Sequence, residues 1–140
     1  MHPELESALG PLLPDLKTPS GVLPTIVDEG WQQYPATASC WLRGPDETAT
    51  GVFVQTGRPF TEQVVALADQ VQEWAVEALW RLGRSASWPA CPYHPDRHPL
   101  LAGQRAAQAV WTCPVSDVRV SAIGALADVC LRERQIRRPS

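Results

Sequence analysis

The chain has 140 residues, 44% of them hydrophobic and 19% charged. That is the size of one ordinary domain with enough apolar surface for a core, and the composition is neither disordered nor fibrous. A net charge of −3 and a pI near 5.5 argue against a general binder of phosphate backbones, and no apolar run approaches the ~18–20 residues of a membrane span.

Residues 1–24 hold Pro3, Pro11, Pro14, Pro19 and Pro24. Only Glu4 to Leu9 reads as a helical turn or two, stopped by Gly10-Pro11. The segment is expected to be an arm, residues 1–30, that lies over the domain or stays mobile. Val22 to Val27 reads as a strand confined by Pro24 to a sheet edge. The first thirty residues show no basic start followed by an apolar run, so no export signal is expected.

Residues 31–84 read as a β-hairpin and one long helix. Thr37–Arg43 and Ala49–Thr56 are rich in β-formers around the turn cluster Gly44-Pro45-Asp46-Glu47-Thr48. Alternation places Ala38, Cys40 and Leu42 on one face and Trp41 on the other. The strongest signal is Thr61–Leu82. Val64, Leu67, Ala68, Val71, Trp74, Ala75, Ala78, Leu79 and Leu82 recur at spacings of three and four. Thr61 is the expected N-cap, Gly83 the expected stop, and Glu77 and Arg81 stand i,i+4. Trp80 falls nearly opposite the stripe, beside Val65 and Val76.

From Ser85 the texture changes. Pro89, Pro92, Pro95 and Pro99 forbid regular helix. Ala106–Cys113 and Asp117–Ile123 then read as two strands around Pro114-Val115-Ser116. Leu126, Val129, Cys130 and Ile136 suit a short final helix, and Arg132, Arg134, Arg137 and Arg138 make residues 126–140 a helix with a basic tail. The expected fold class is α+β, an N-terminal hairpin on one long helix followed by a β-hairpin module over residues 85–125. Charge is divided unevenly, −6 over residues 1–70 and +3 over residues 71–140.

The chemistry lies in Trp88-Pro89-Ala90-Cys91-Pro92-Tyr93-His94-Pro95-Asp96-Arg97-His98-Pro99, followed by Trp111-Thr112-Cys113-Pro114. The spacing is Cys-x2-His-x3-His-x14-Cys. Divalent zinc prefers four tetrahedral nitrogen and sulfur ligands, and two ligands on one turn chelate an ion without straining the backbone. Cys91, His94, His98 and Cys113 are therefore the expected ligands of a structural Zn2+. Both histidines precede proline and so belong on a braced loop rather than a helix. Trp88 and Trp111 are expected to shield the site. Cys40 and Cys130 are expected to be core thiols. With no export signal, the cysteines point to metal in a reducing cytoplasm rather than to disulfides.

Over residues 88–124 the string resembles a zinc-ribbon or zinc-knuckle module. Cys91-Pro92-Tyr93-His94 is similar to a knuckle, and Trp111-Thr112-Cys113-Pro114 to the return on a β-hairpin. It departs from the pattern of two Cys-x2-Cys pairs by using two histidines and one cysteine in the second half. Three functions fit. A closed Cys2His2 shell implies a protein-interaction or accessory module with another protein as partner. A zinc-dependent hydrolase or deaminase-like enzyme requires an open metal position, with Asp96 as the nearest general base, and the H-E-x-x-H and H-x-E…P-C-x-x-C patterns are missing. The resemblance also implies a nucleic-acid binder, for which Arg97, Arg105 and Arg119 supply charge and Tyr93 a stacking ring, against an acidic total. No membrane partner is expected.

Overall fold

The computed structural model describes residues 1–18, 21–31, 34–94 and 97–129. Cys130, Ile136, the four C-terminal arginines, Pro19, Pro95 and Asp96 lie outside the described residues. The fold is α+β: two three-stranded antiparallel sheets on one long helix. The elements are α1 (Pro3–Leu9), α2 (Leu12–Leu16), β1 (Thr25–Val27), β2 (Thr37–Arg43), β3 (Ala49–Gln55), α3 (Phe60–Arg81), β4 (Leu101–Arg105), β5 (Gln108–Thr112) and β6 (Arg119–Ala122). No helix among them is long and apolar enough to cross a membrane.

The first sheet runs β1-β2-β3, with β1 on the edge as expected, although the strand starts only after Pro24, at Thr25. Cys40 pairs with Val52 and Leu42 with Thr50, so Ala38, Cys40, Leu42, Val52 and Val54 share the buried face. Trp41 points the other way, as alternation predicts. There Trp31 lies between Trp41 and Phe53, at ring separations of 5.9 and 6.0 Å, and its Nε1 donates to the Cys40 carbonyl at 2.9 Å. Gly51 makes room for this indole: a Cβ at that position would stand 2.4 Å from the Trp31 ring. Edge strand β3 is closed by glutamines from α3. The Gln70 amide accepts from Phe53 N–H (2.9 Å) and donates to the Phe53 carbonyl (2.8 Å), while Gln63 donates to the Gln55 carbonyl (2.9 Å). A primary amide has the donor and acceptor of a peptide group, so these side chains satisfy the edge where a fourth strand would pair.

The α3 stripe is buried from Val64 to Leu79, and the helix ends in a Schellman motif at Gly83. Gly83 takes φ +69°, its N–H bonds the Trp80 carbonyl, and Arg84 N–H bonds that of Leu79. The start differs from expectation. Pro59 holds the cap position and Thr61 lies inside the helix, where its hydroxyl donates to the Ala107 carbonyl (3.1 Å) and ties α3 to the second sheet. Proline's fixed φ and missing N–H suit a helix entry, although Pro59 makes no side-chain capping bond. Arg81 turns to Asp46 in the β2–β3 turn (3.6 Å). Trp80 is 73% exposed, opposite the stripe.

Two further departures stand out. Helix α1 ends at Leu9 with Gly10 as its C-cap, as expected at Gly10-Pro11, but the chain stays in the α region there and a second, unexpected helix follows at Leu12. Pro14 falls within its first turn, where a missing N–H breaks no bond. Leu5, Leu9, Leu12 and Leu16 enter the same core as the α3 stripe and the first sheet. In the second sheet, ordered β4-β5-β6, the single strand expected from Ala106 to Cys113 is replaced by a hairpin. Ala106 and Ala107, at φ 49° and 62°, form a two-residue turn between β4 and β5. Both positions need φ > 0, which Asn-Gly normally advertises and Ala-Ala does not.

Cys40 is buried with no disulfide partner. Burial, and to a lesser degree the charge of Asp28, push its thiol up to about 11. An unfolded thiol ionises near 9, so the unfolded chain releases this proton first as pH rises. The contribution of Cys40 is thus complete below pH 9 and lost between 9 and 11. Iodoacetamide at pH 8 is expected to label Cys40 only after unfolding, as read by mass spectrometry of the digested protein. Rapid labelling of the native chain at Cys40 would contradict this.

Candidate metal centre

Two turns of the same design meet at one point. In the first, Leu100 N–H bonds the Pro89 carbonyl at 2.8 Å and Ala90 bridges Pro99, so residues 90–99 leave and return at one place. Gln72 of α3 holds both ends of this loop, donating to the carbonyls of Trp88 (3.2 Å) and Leu100 (2.6 Å). Inside it, His94 N–H bonds the Cys91 carbonyl (3.2 Å) and Arg97 N–H bonds that of His94 (3.1 Å). The histidines stand on this turned loop, not on a helix, as the following prolines require.

The second turn follows β5. Asp117 N–H bonds the Cys113 carbonyl at 2.8 Å, and Cys113 N–H bonds that of Val118 at 2.9 Å. A bulge opposite Trp111 and Thr112 breaks the β5–β6 register just before Cys113, a device that re-aims a strand end. In both turns proline follows cysteine and fixes φ. In both, the two amides beyond that proline face the sulfur: those of Tyr93 and His94 at Cys91, and those of Val115 and Ser116 at Cys113, the last at 3.5 Å. Such N–H groups favour a negatively charged sulfur.

The four expected ligands come together. Cys91 Sγ, His94 Nδ1, His98 Nε2 and Cys113 Sγ all lie within 4.8 Å of one another. His94 Nδ1 is 3.8 Å from Cys91 Sγ and 3.7 Å from Cys113 Sγ; His98 Nε2 is 3.9 Å from Cys113 Sγ and 3.1 Å from His94 Nδ1. A tetrahedral shell with bonds of about 2.3 Å to sulfur and 2.0–2.1 Å to nitrogen has S···N edges of about 3.6 Å and an N···N edge of about 3.3 Å. The four observed edges agree to within a few tenths of an ångström, and the two others, from Cys91 Sγ to His98 Nε2 and to Cys113 Sγ, lie within 4.8 Å. His98 Nδ1 lies 3.1 Å from the Pro99 carbonyl. Placing the proton on that nitrogen leaves Nε2 with its lone pair toward the cluster, the arrangement that orients a ligating imidazole.

Both cysteines are fully buried and both histidines half-buried. Burial pushes the Cys113 thiol up, but the hydroxyl and amide of Ser116, the amide of Val115 and a contact from Cys91 outweigh it and bring it down to about 6. Cys91 is raised, by burial first and also by its neighbour Cys113, against the amides of Tyr93 and His94. One sulfur readily becomes a thiolate and the second is then resisted by the first. A cation between them removes that conflict.

Trp88 and Trp111 precede the two turns, are fully buried and meet edge to face at 5.7 Å and 78°. Sequence reasoning missed two residues. Ser116, at the position matching His94 in the first turn, supplies a donor to sulfur. Asp15 of α2 is fully buried and accepts Trp111 Nε1 at 2.8 Å. A buried indole N–H needs an acceptor, and that rule was the available signal, although it does not say which acceptor. Burial raises the Asp15 carboxyl, and the donors Trp111, Gly124 and Leu126 offset part of the rise. Of the residues invoked for nucleic acid, Tyr93 is 59% exposed, Arg105 pairs with Asp117 and Arg119 with Gln108. The four-residue cluster fits a metal ion, and no family model, curated protein or solved structure matches the chain.

Proposed function

We propose that Cys91, His94, His98 and Cys113 hold one zinc ion in a closed, structural site, and that the protein acts as an interaction or accessory module whose binding-competent shape depends on that ion. The supporting observation is the convergence of four soft and borderline donors, from two turns of the chain, within 4.8 Å of one another, with four of the six separations close to tetrahedral edges. Two thiolates and two imidazoles suit zinc better than calcium or magnesium, which take oxygen. Four protein ligands leave no position for an activated water, which favours a structural over a hydrolytic role. When bound, the ion supplies a neutralising charge and a crosslink. A site built on two thiolates favours a reducing compartment such as the cytoplasm.

Elemental analysis of the purified chain together with zinc K-edge spectroscopy tests this reading. One zinc per chain with two sulfur and two nitrogen neighbours is the expected result. A shell containing a water oxygen would support the enzyme reading instead, and a folded protein without stoichiometric metal would end both.

A further inference from the structure

Helix α2 is short, rich in leucine and far in sequence from the metal ligands, yet it carries a fully buried carboxylate. Asp15 Oδ2 accepts from Trp111 Nε1 at 2.8 Å and from Gly124 N–H at 2.7 Å; its Oδ1 accepts from Leu126 N–H at 3.1 Å. Its own carbonyl accepts the Thr18 hydroxyl at 2.8 Å, closing the turn that follows. Among the described residues no cation pairs with this side chain. A buried carboxyl group that accepts from three N–H donors offsets part of its burial cost and fixes those donors in place.

What it organises lies next to the ligands. Trp111 stands two residues before Cys113 on β5, and its ring meets Trp88, three residues before Cys91. Gly124 and Leu126 follow β6, the strand that leaves the Cys113 turn. One carboxylate thus fixes the indole leading into the second ligand turn, the ring contact joining that indole to the first turn, and the chain beyond the returning strand. We infer that Asp15 is a positioning residue for the metal centre, so that docking of the N-terminal helices and metal occupancy favour each other. The inference rests on the zinc reading above. Coupling of this kind is reciprocal: if docked α2 tightens metal binding, bound metal holds α2 docked by the same factor.

The test uses the full chain and zinc itself, with affinity measured by competition against a chromophoric chelator. Asp15→Asn keeps the shape but offers one acceptor oxygen in place of two, and Asp15→Ala removes both. Loss of a partner bonded directly to a ligand typically weakens metal binding about 10–100-fold. Asp15 acts through Trp111, one step further out, so Asp15→Ala is expected to weaken binding roughly tenfold, the lower end of that range, with Asp15→Asn between it and the wild type. Substituted cobalt provides a readout that stability alone does not move. Its thiolate charge-transfer and ligand-field bands are expected to shift in both variants. Leu42→Ala, a core truncation in the first sheet, is the control that should lower stability and leave affinity and spectrum unchanged. Equal zinc affinity and identical cobalt spectra in wild type and Asp15→Asn would overturn the inference while leaving the site intact; absence of stoichiometric zinc in the wild type would overturn the parent reading. If Asp15→Ala fails to fold, Asp15→Asn decides alone.

Discussion

If the cluster holds zinc as proposed, stripping the ion with a strong chelator, or replacing Cys113 with alanine, is expected to disorder the two cysteine turns, around Cys91 and around Cys113, while α3 and the first sheet persist. Structural zinc in small finger peptides contributes about 10–16 kcal/mol of apparent binding energy. A whole domain is stable by only about 5–15 kcal/mol, so the loss is large on any accounting. The local balance explains why the damage concentrates there. Among the described residues of the loop from Ala90 to Pro99, the backbone bonds run from His94 to Cys91 and from Arg97 to His94, and the ends are held by two Gln72 bonds and the Leu100–Pro89 contact. Without the ion, two buried sulfurs, one of them ready to ionise near pH 6, and two adjacent imidazoles face one another with no counter-charge. Helix α3, by contrast, keeps its stripe against α1 and the first sheet. Far-UV circular dichroism should retain the helical signal while the near-UV band from the edge-to-face Trp88–Trp111 pair collapses. An unchanged near-UV spectrum after complete metal removal would refute the expectation.

The cluster of Cys91, His94, His98 and Cys113 was legible in the chain because its signal is local. Three of the four ligands fall within eight residues, and each ligand type is rare enough here for coincidence to stand out. The hairpin β2–β3 and helix α3 were legible for a similar reason: alternation and a 3.6-residue period are carried by the side chains themselves. Other features were hidden by residues whose usual meaning was overridden. Proline at positions 11 and 14 reads as a breaker, yet in first-turn positions it removes no hydrogen bond, so α2 forms and its leucines bury. Ala106-Ala107 carries none of the left-handed preference that its turn demands, so strand β4 went unseen. The pairing of Asp15 with Trp111 spans 96 positions, and no local pattern specifies it. The fold is thus readable where periodicity acts and opaque where a single long-range polar contact decides.

Replacing Trp74 with alanine is expected to cost about 3–5 kcal/mol, the range for deleting a large aromatic side chain from a core. Trp74 is 3% exposed at the middle of the α3 stripe, and its ring reaches to within 4 Å of where a Cβ on Gly44 would lie, under the β2–β3 turn. The helix is the wall that the first sheet, the second sheet and the N-terminal helices share. A cavity in it weakens every layer at once, and the rigid backbone of a 22-residue helix limits how far neighbours can collapse into the space. With urea dependence of about 1–3 kcal/mol per molar for a small protein, the unfolding midpoint should fall by one molar or more, with the slope unchanged. The shift should be present in metal-loaded and metal-free protein alike, because the lost contacts lie in the layer that persists without the ion. A midpoint displaced only in the loaded form would mean that α3 owes its stability to the metal centre rather than the reverse.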